Sequence, residues 1–317
     1  MVSTETPRIL ITGVAGQIGT ELCALLRNKY GPENVIATGR RKFVCEVDGP
    51  YFYLDVTDQE ALKKLIVEQR IDWLIHNASV LSAAGEKNPY ESLQANLAGI
   101  HNALEVSRMY GLRCFCPSTI GVFGPEAPAE QTPDDCVLKP TTIYGITKVH
   151  LELLTEYYFK KFGVDCRSLR YPGVISSVAL PGGGTTDYAV SIFYDAIRKG
   201  SYECYIDENE RLPMMLMEDC LKGTLSFLTA PSESLTRRVY NLAAISFSPA
   251  DLAAEIKKHI PEFEISYTPD FRQKIAASWP GSLDDSNARK DWSWNHDYDL
   301  SKMTCKMLTD LRKKLSA

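Results

Sequence analysis

Residues 8–19 read R-I-L-I-T-G-V-A-G-Q-I-G, and their order decides the fold. Arg8–Thr12 is an apolar run of strand composition. Gly13, Gly16 and Gly19 follow it, and the pattern from Gln17 to Tyr30 predicts a helix opened by Gln17 and Ile18. In a strand–turn–helix unit the first glycine permits the tight turn. The second lets backbone approach a pyrophosphate, and the third lets helix pack closely on strand, with the helix N-terminus facing the anion. A glycine triplet alone is also what an ordinary βα turn contains, so the surrounding chain has to separate the two readings.

Working outward, strand-like and helix-like segments alternate. Strands are predicted at Asn34–Thr38, Tyr51–Leu54, Trp73–His76, Arg113–Pro117 and Cys166–Tyr171, with a short helix at Ala61–Gln69. Two long helices are predicted. Pro89–Tyr110 places Leu93, Leu97, Ile100 and Leu104 on one face ahead of Gly111, and Ile143–Phe162 ends at Gly163. Short strands alternating with helices imply βαβ crossovers and a parallel sheet. After Tyr171 the pattern loosens: Pro172, Gly173, Pro181 and Gly182–Gly184 read as loop. Mixed elements follow, with helices near Tyr188–Arg198, Glu218–Leu228 and Ser248–His259 and a strand at Arg238–Leu242. The expected architecture is a Rossmann-like, doubly wound parallel α/β sheet with a smaller C-terminal α/β substrate lobe. Residues 1–175 plus about 219–245 form the first unit, and about 176–218 plus 246–317 the second.

Composition narrows the partners. Across 317 residues, 35 Lys and Arg face 40 Asp and Glu, a net charge of −5 without long runs of one sign. That balance argues against nucleic acid and anionic membrane as partners. No apolar run reaches spanning length and no signal-peptide core is present; the leader Met1–Pro7 is short and polar. Nine cysteines cannot all pair and lack metal-type spacing, which predicts a reduced intracellular compartment. Cys114 and Cys116 read as core thiols. The five histidines share no spacing, so no metal site is expected, and His76 reads as a packed residue. Asp284, Asp285 and Asp291 in the tail read as solvated or capping residues.

Chemistry concentrates at two places. Tyr144 and Lys148 form Y-x-x-x-K at the start of the second long helix, on one face. A nearby ammonium favours tyrosinate and makes the phenol a usable base. Ser118 and Thr119 close the Arg113–Pro117 strand, at the sheet end where open α/β folds hold ligands. The neighbourhood that often supplies a ribose-binding carboxylate reads Thr38-Gly39-Arg40-Arg41 and has none. Arg40 or Arg41 facing a 2′-phosphate would favour NADP, while arginines stacked on adenine or turned to water leave NAD; Asp55 is a second candidate for the adenine end.

With Gly13/Gly16/Gly19, Asp55, H-N-A-S at His76–Ser79, Asn96, Ser118/Thr119, Tyr144 and Lys148 in hand, the chain resembles the extended short-chain dehydrogenase/reductases of the sugar-nucleotide epimerase kind. The stretches L-R-Y-P-G-V-I-S, P-G-G-G-T-T-D-Y-A, P-M-M-L-M-E-D-C and S-W-P-G-S-L-D-D-S-N-A-R-K-D-W-S-W narrow it to a likeness with the short-chain-type L-threonine 3-dehydrogenases, over nearly the whole chain. Where that family carries an acidic residue, this chain has Gly39.

The resemblance implies an NAD-dependent dehydrogenase acting on the β-hydroxyl of L-threonine; a nucleotide-sugar epimerase, dehydratase or reductase and a non-catalytic NAD(P) sensor are the alternatives. It makes Tyr144 the base, with Lys148 supporting it and holding the nicotinamide ribose, and Thr119 the hydroxyl partner beside Ser118. It assigns Gly13, Gly16, Gln17, Ile18, Gly19, Arg40, Asp55, Val56, Asn77, Ala78, Asn96 and Tyr171 to the dinucleotide. Ser82, Gly184, Thr185, Thr186 and Trp279, beside Leu81, go to the substrate. From the residues alone, Thr185 and Thr186 read equally as a helix cap and Trp279 as lobe packing, and Gly182–Gly184 as a hinge or lid. The resemblance further implies a homodimer through the two long helices and a mitochondrial matrix location, with the cytoplasm as alternative.

Overall fold

The computed structural model describes residues 6–179 and 182–316. Pro181 and the leader residues before Thr6 lie outside the described residues. The first half alternates as the sequence predicts: β1 (Ile9–Thr12), α1 (Gln17–Tyr30), β2 (Val35–Gly39), β3 (Tyr51–Tyr53), α2 (Gln59–Glu68), β4 (Trp73–His76), α3 (Ser82–Gly85), α4 (Pro89–Tyr110), β5 (Arg113–Phe115), β6 (Ser118–Thr119), α5 (Ile143–Phe162) and β7 (Cys166–Tyr171). The second half contains β8 (Gly173–Ile175), α6 (Tyr188–Lys199), β9 (Ser201–Cys204), β10 (Leu212–Leu216), α7 (Met217–Thr229), β11 (Val239–Asn241), β12 (Ile245–Phe247), α8 (Pro249–Lys257), β13 (Glu264–Tyr267), α9 (Phe271–Ala276), α10 (Ser286–Trp292) and α11 (Leu300–Ser316).

The main sheet runs β11-β7-β5-β4-β1-β2-β3, with β6 paired to β7. Its ladders are parallel. All four residues of β1, five of β2 and six of β7 are buried, as strands covered on both faces must be. On one face α1 packs Leu22, Cys23 and Leu26 with Ile9, Ile11 and Phe115. On the other, Ile100, Ala103 and Leu104 of α4 and Leu151 of α5 cover Leu10, Ile36 and Leu74. Helix ends follow local chemistry: Asp58 accepts from Ala61 N and Thr142 from Gly145 N, and α4, α5 and α6 stop at left-handed Gly111, Gly163 and Gly200.

The chain leaves the main sheet after β7 and returns once, through α7 and β11; Val239 lies opposite Ser168 and Asn241 opposite Arg170. The second lobe holds the three-stranded sheet β12-β10-β8 and the pair β13-β9. Its core joins Tyr188, Ile192 and Phe193 of α6 to Leu252 and Ile256 of α8 and to Met303, Met307 and Leu311 of α11.

Three expectations change. The Arg113–Pro117 strand breaks at Cys116 and Pro117, since proline has no N–H for a ladder, and resumes as β6. Gly173, read as loop, begins β8; a Cβ there would stand 2.3 Å from Met214 Sδ and 2.9 Å from Thr186, so glycine lets these elements close on one another. In the tail, Asp285 is buried rather than solvated, accepting from Trp294 Nε1 and pairing with Arg289. All nine cysteines are free. Among the described residues no helix is long and apolar enough to cross a membrane, and no group of His, Cys, Asp and Glu could hold a metal ion.

Candidate active site

The strand order reverses between β1 and β4, and open α/β sheets hold ligands outside the carboxyl ends of strands at such a point. A cleft of about 730 Å³ lies there, between the two lobes, and every residue singled out for the site lines it. At its floor Gly13 has φ +67°, and a Cβ on it would stand 2.6 Å from Ala78 N and 2.7 Å from Ala78 Cα. Gly19 lies against Gly13 O and Val14, where a Cβ would come to 2.6 Å and 2.8 Å. Gly16 differs: its nearest neighbour would be Gly13 O at 3.4 Å, and the rest of its surroundings is open space. The turn closes through Gly16 N donating to Gly13 O at 3.1 Å, and Gln17 Nε2 reaches across to Val174 O at 3.4 Å. Asn77 Nδ2, in the same wall, is buried without a protein partner. A bare backbone floor at a helix N-terminus with an orphaned amide donor beside it fits a pyrophosphate-bridged dinucleotide.

At the adenosine end a Cβ on Gly39 would meet only Tyr51 Oη, at 3.6 Å, so packing does not demand glycine there. Tyr51 Oη donates to Arg41 O at 2.5 Å and lies 3.0 Å from Gly39 O, holding the turn. Asp55 accepts from Thr57 N and Oγ1, which holds its carboxyl below the usual range, and meets Arg40 Nη1 at 3.4 Å. Such an exposed pair contributes little, ~0–1 kcal/mol, so Arg40 is free to move.

The reacting groups are set by α5 against the end of β6. Thr142 caps α5 and aims Tyr144 and Lys148, one turn apart, at the cleft. Lys148 is buried and donates to Pro117 O at 2.7 Å, with Nζ 5.6 Å from the Tyr144 ring centroid. Thr119 accepts from Gly121 N at 3.0 Å and lies beside Tyr144; Gly121 sits against both side chains, and a Cβ there would lie 3.3 Å from Thr119 and 3.5 Å from Tyr144. The expectation of a lowered phenol pKa does not hold: burial pushes the Tyr144 phenol up to about 12, against a smaller lowering by Thr119. Burial likewise depresses Lys148 to about 8, well below an ordinary lysine, yet the amine is still mostly ammonium at neutral pH. His76 is buried and, held to about 3 by burial and then by Lys148, is neutral, its Nδ1 3.1 Å from Thr12 Oγ1.

Several residues line the cleft while their polar atoms serve the framework. Asn96 Oδ1 accepts from Val80 N at 2.8 Å, and Nδ2 donates to Val80 O and Thr147 Oγ1, so its amide shapes the Ser79–Val80 wall. The Tyr171 hydroxyl pairs with Thr224. Ser118 Oγ donates to Glu152 Oε1 at 2.5 Å, leaving Thr119 as the hydroxyl beside Tyr144. Ser82 Oγ and Thr185 Oγ1 meet at 3.2 Å across the two lobes. Neither threonine caps α6: Asp187 holds its N-cap position without a side-chain cap bond, and its Oδ2 accepts from Gly183 N and Gly184 N in the turn before it. Trp279 is half-buried and packs against two apolar clusters. Sequence reasoning missed Asp187 and Glu152. Glu152 was open to it: it continues the Tyr144–Lys148 face by one more turn.

A glycine-floored dinucleotide cleft with a hydroxyl, a phenol and an ammonium converging on it defines a nicotinamide-dependent oxidoreductase of Rossmann type. The chain belongs to the NAD dependent epimerase/dehydratase family, whose profile matches residues 9–243. It is 50% identical over 305 residues to the mitochondrial L-threonine 3-dehydrogenase of Sus scrofa, covering 95% of this chain and 82% of that one. Its fold is similar to the crystal structure of the L-threonine dehydrogenase from Phytophthora infestans, with TM-score 0.95 and 51% identity over 97% of this chain and 99% of that one. A monomeric L-threonine 3-dehydrogenase from a metagenome, in its apo form, matches with TM-score 0.93 and 46% identity over 96% and 99% of the two chains.

Proposed function

We propose that this chain oxidises L-threonine at its β-hydroxyl to 2-amino-3-oxobutyrate with NAD as acceptor. The observation that carries the proposal is the convergence of Thr119, Tyr144 and Lys148 on a cleft whose far wall is small and hydroxyl-bearing. NAD would lie along Gly13, Gly16, Gln17, Ile18 and Gly19, with Arg40, Asp55 and Val56 at its adenosine end and Asn77, Ala78 and Lys148 toward the nicotinamide; Asn96 and Tyr171 shape the wall. When bound it supplies the hydride acceptor and a positively charged ring.

In the protein, Tyr144 Oη takes the hydroxyl proton and Thr119 Oγ1 holds the same substrate oxygen. Burial holds the Tyr144 phenol protonated, and positive charge beside it favours the phenolate that takes the proton. Lys148, fixed by Pro117 O, keeps one ammonium edge for the ribose. Ser82, Gly184, Thr185 and Thr186 offer hydroxyls and backbone groups to a carboxylate and an ammonium, and Trp279 and Leu81 bound the space. Among the described residues the cationic ones lining the cleft are Arg40, Arg41 and Lys148, and none of these belongs to the second lobe; a nucleotide-sugar diphosphate would need such charge there. That favours a small zwitterion.

L-threonine with NAD should produce reduced nicotinamide, with NADP and UDP-sugars as controls. Absence of threonine-dependent reduction would refute the proposal. A homodimer is proposed through α4 and α5, which pack together and expose Tyr90, Ile146, Leu153 and Tyr157; a monomer by light scattering at assay concentration would overturn it. A mitochondrial matrix location is proposed on the likeness to the porcine enzyme, and a cytosolic signal on fractionation would replace it.

A further inference from the structure

Helix α5 places three chemistry-bearing residues on one face at successive turns: Tyr144, Lys148 and Glu152. They meet three successive residues at the end of the β5–β6 strand. Lys148 Nζ holds Pro117 O at 2.7 Å, Glu152 holds Ser118 Oγ at 2.5 Å, and Tyr144 lies beside Thr119 across Gly121. Glu152 is buried and fixed in turn by Arg170, also buried, through Nε to Oε1 and Nη2 to Oε2, both 2.8 Å. Arg170 completes its contacts on Asp134 O and Asn241 Oδ1. The fork ties α5 and the strand end to β7 and β11.

We propose that Glu152 is a positioning residue of this site: it locks the strand end that carries Thr119 against α5 and supplies the counter-charge for the Lys148 ammonium. The inference rests on the dehydrogenase reading above. A buried ion pair with Arg170 could exist for packing alone. Two observations give it a further role. The carboxylate spends a bond on Ser118, the residue before Thr119, and Lys148 has only a carbonyl as its direct partner. The groups around Lys148 are the His76 ring on β4, the Cys116 thiol after β5, and Tyr144 and Glu152 on its own helix; Glu152 itself faces Arg170, Ser118 and Cys136. His76 is neutral. The hydrogen bond to Cys114 and burial push Cys116 well up, so it is neutral too. Cys116 and then Glu152 oppose the depression of Lys148 by burial, and with the thiol held protonated Glu152 is the carboxylate that does so, one turn along the same helix face.

The test is Glu152→Gln, which keeps the shape and an acceptor for Ser118 but removes the charge. The Lys148 titration is followed by NMR of protein labelled with [ε-13C]lysine, without substrate or cofactor, its signal assigned with Lys148→Met. Its midpoint should move down by about half a unit or more. Ser118→Ala should lower kcat by between about tenfold and 10²-fold, with KM for threonine and NAD affinity unchanged. Glu152→Asp, which keeps the charge but draws it back from Ser118, should restore the midpoint and not kcat. Removing one partner of a buried pair can unfold a protein. Glu152→Gln/Arg170→Met, which leaves no unpaired buried charge, therefore takes the same titration if the single variant does not fold. A midpoint unmoved by loss of the Glu152 charge, or a Ser118→Ala kcat equal to wild type, overturns the proposal. Because the titration uses no substrate, its failure is separable from a failure of threonine to reduce NAD.

Discussion

Gly13 and Gly16 stand three residues apart in one turn, yet replacing each by alanine should break different things. At Gly13 the φ of +67° costs an L-residue ~1–2 kcal/mol. The new Cβ would also press on the backbone of Asn77 and Ala78 at 2.6–2.9 Å, and backbone cannot swing aside as a side-chain tip can. Overpacking of that kind costs ~1–3 kcal/mol. Together these give ~2–5 kcal/mol, which at ~2–4 °C per kcal/mol lowers Tm by on the order of 10 °C. Gly16 has φ −83° and open space around it, so Gly16→Ala should hold Tm within ~4 °C, the cost of a poorer helix N-cap. Its methyl would fill the space left for a pyrophosphate, so NAD affinity should fall at least tenfold, ~1.4 kcal/mol. Scanning calorimetry of the ligand-free variants and calorimetric titration with NAD read the two effects separately. Wild-type Tm in Gly13→Ala, or wild-type NAD affinity in Gly16→Ala, would refute this account of the turn.

Tyr144→Phe should lower kcat by ~10²–10⁴-fold while NAD binding stays close to wild type; a variant retaining most of its turnover would remove Tyr144 as the base. Thr186→Ala should raise KM for threonine more than Kd for NAD, and equal effects on both would count against a substrate role. Glu21 on α1, accepting a hydrogen bond from Ser176, has its carboxyl raised by burial from an ordinary 4.5 to about 7. Since the folded value lies above the unfolded one, its contribution to stability is full below pH 4.5 and lost as pH rises through 7. Wild-type Tm should therefore sag between pH 5 and 8, relative to Glu21→Gln, and parallel Tm–pH curves for the two proteins would rule this out.

Much of the first lobe could be read from the sequence because buried parallel strands and amphipathic helices carry strong local patterns. Trp73–His76 and Cys166–Tyr171 were read to the residue. The second lobe was less open. Its strands are short, and β8 begins at Gly173 directly after Pro172; nothing local announces that Met214 and Thr186 will close over that glycine. Trp292 and Trp294 stand among Asp and Ser in the tail, and nothing local announces that they join the core under α7. For the site, residue types and spacing brought Tyr144, Lys148 and Thr119 together, because an i, i+4 face and a strand end are local facts. What sequence could not supply was the balance of burial against charge, which sends the phenol up rather than down. Nor could it supply the long-range contacts that commit Ser118 to Glu152 and Asn96 to Val80.

The late return of β11 to the edge of β7 bears on how the chain is made. Emerging from the ribosome, the first lobe has β7 at its rim as soon as Tyr171 is out, with unpaired N–H and C=O groups along one side. Its neighbour arrives only with Val239, roughly 70 residues later. At ~5–20 residues per second that is ~4–14 s of an uncovered parallel edge. Such an edge is a template for pairing with another nascent chain. The interval is a window for chaperone capture or for misassembly, and truncations ending between β7 and β11 would freeze the protein inside it.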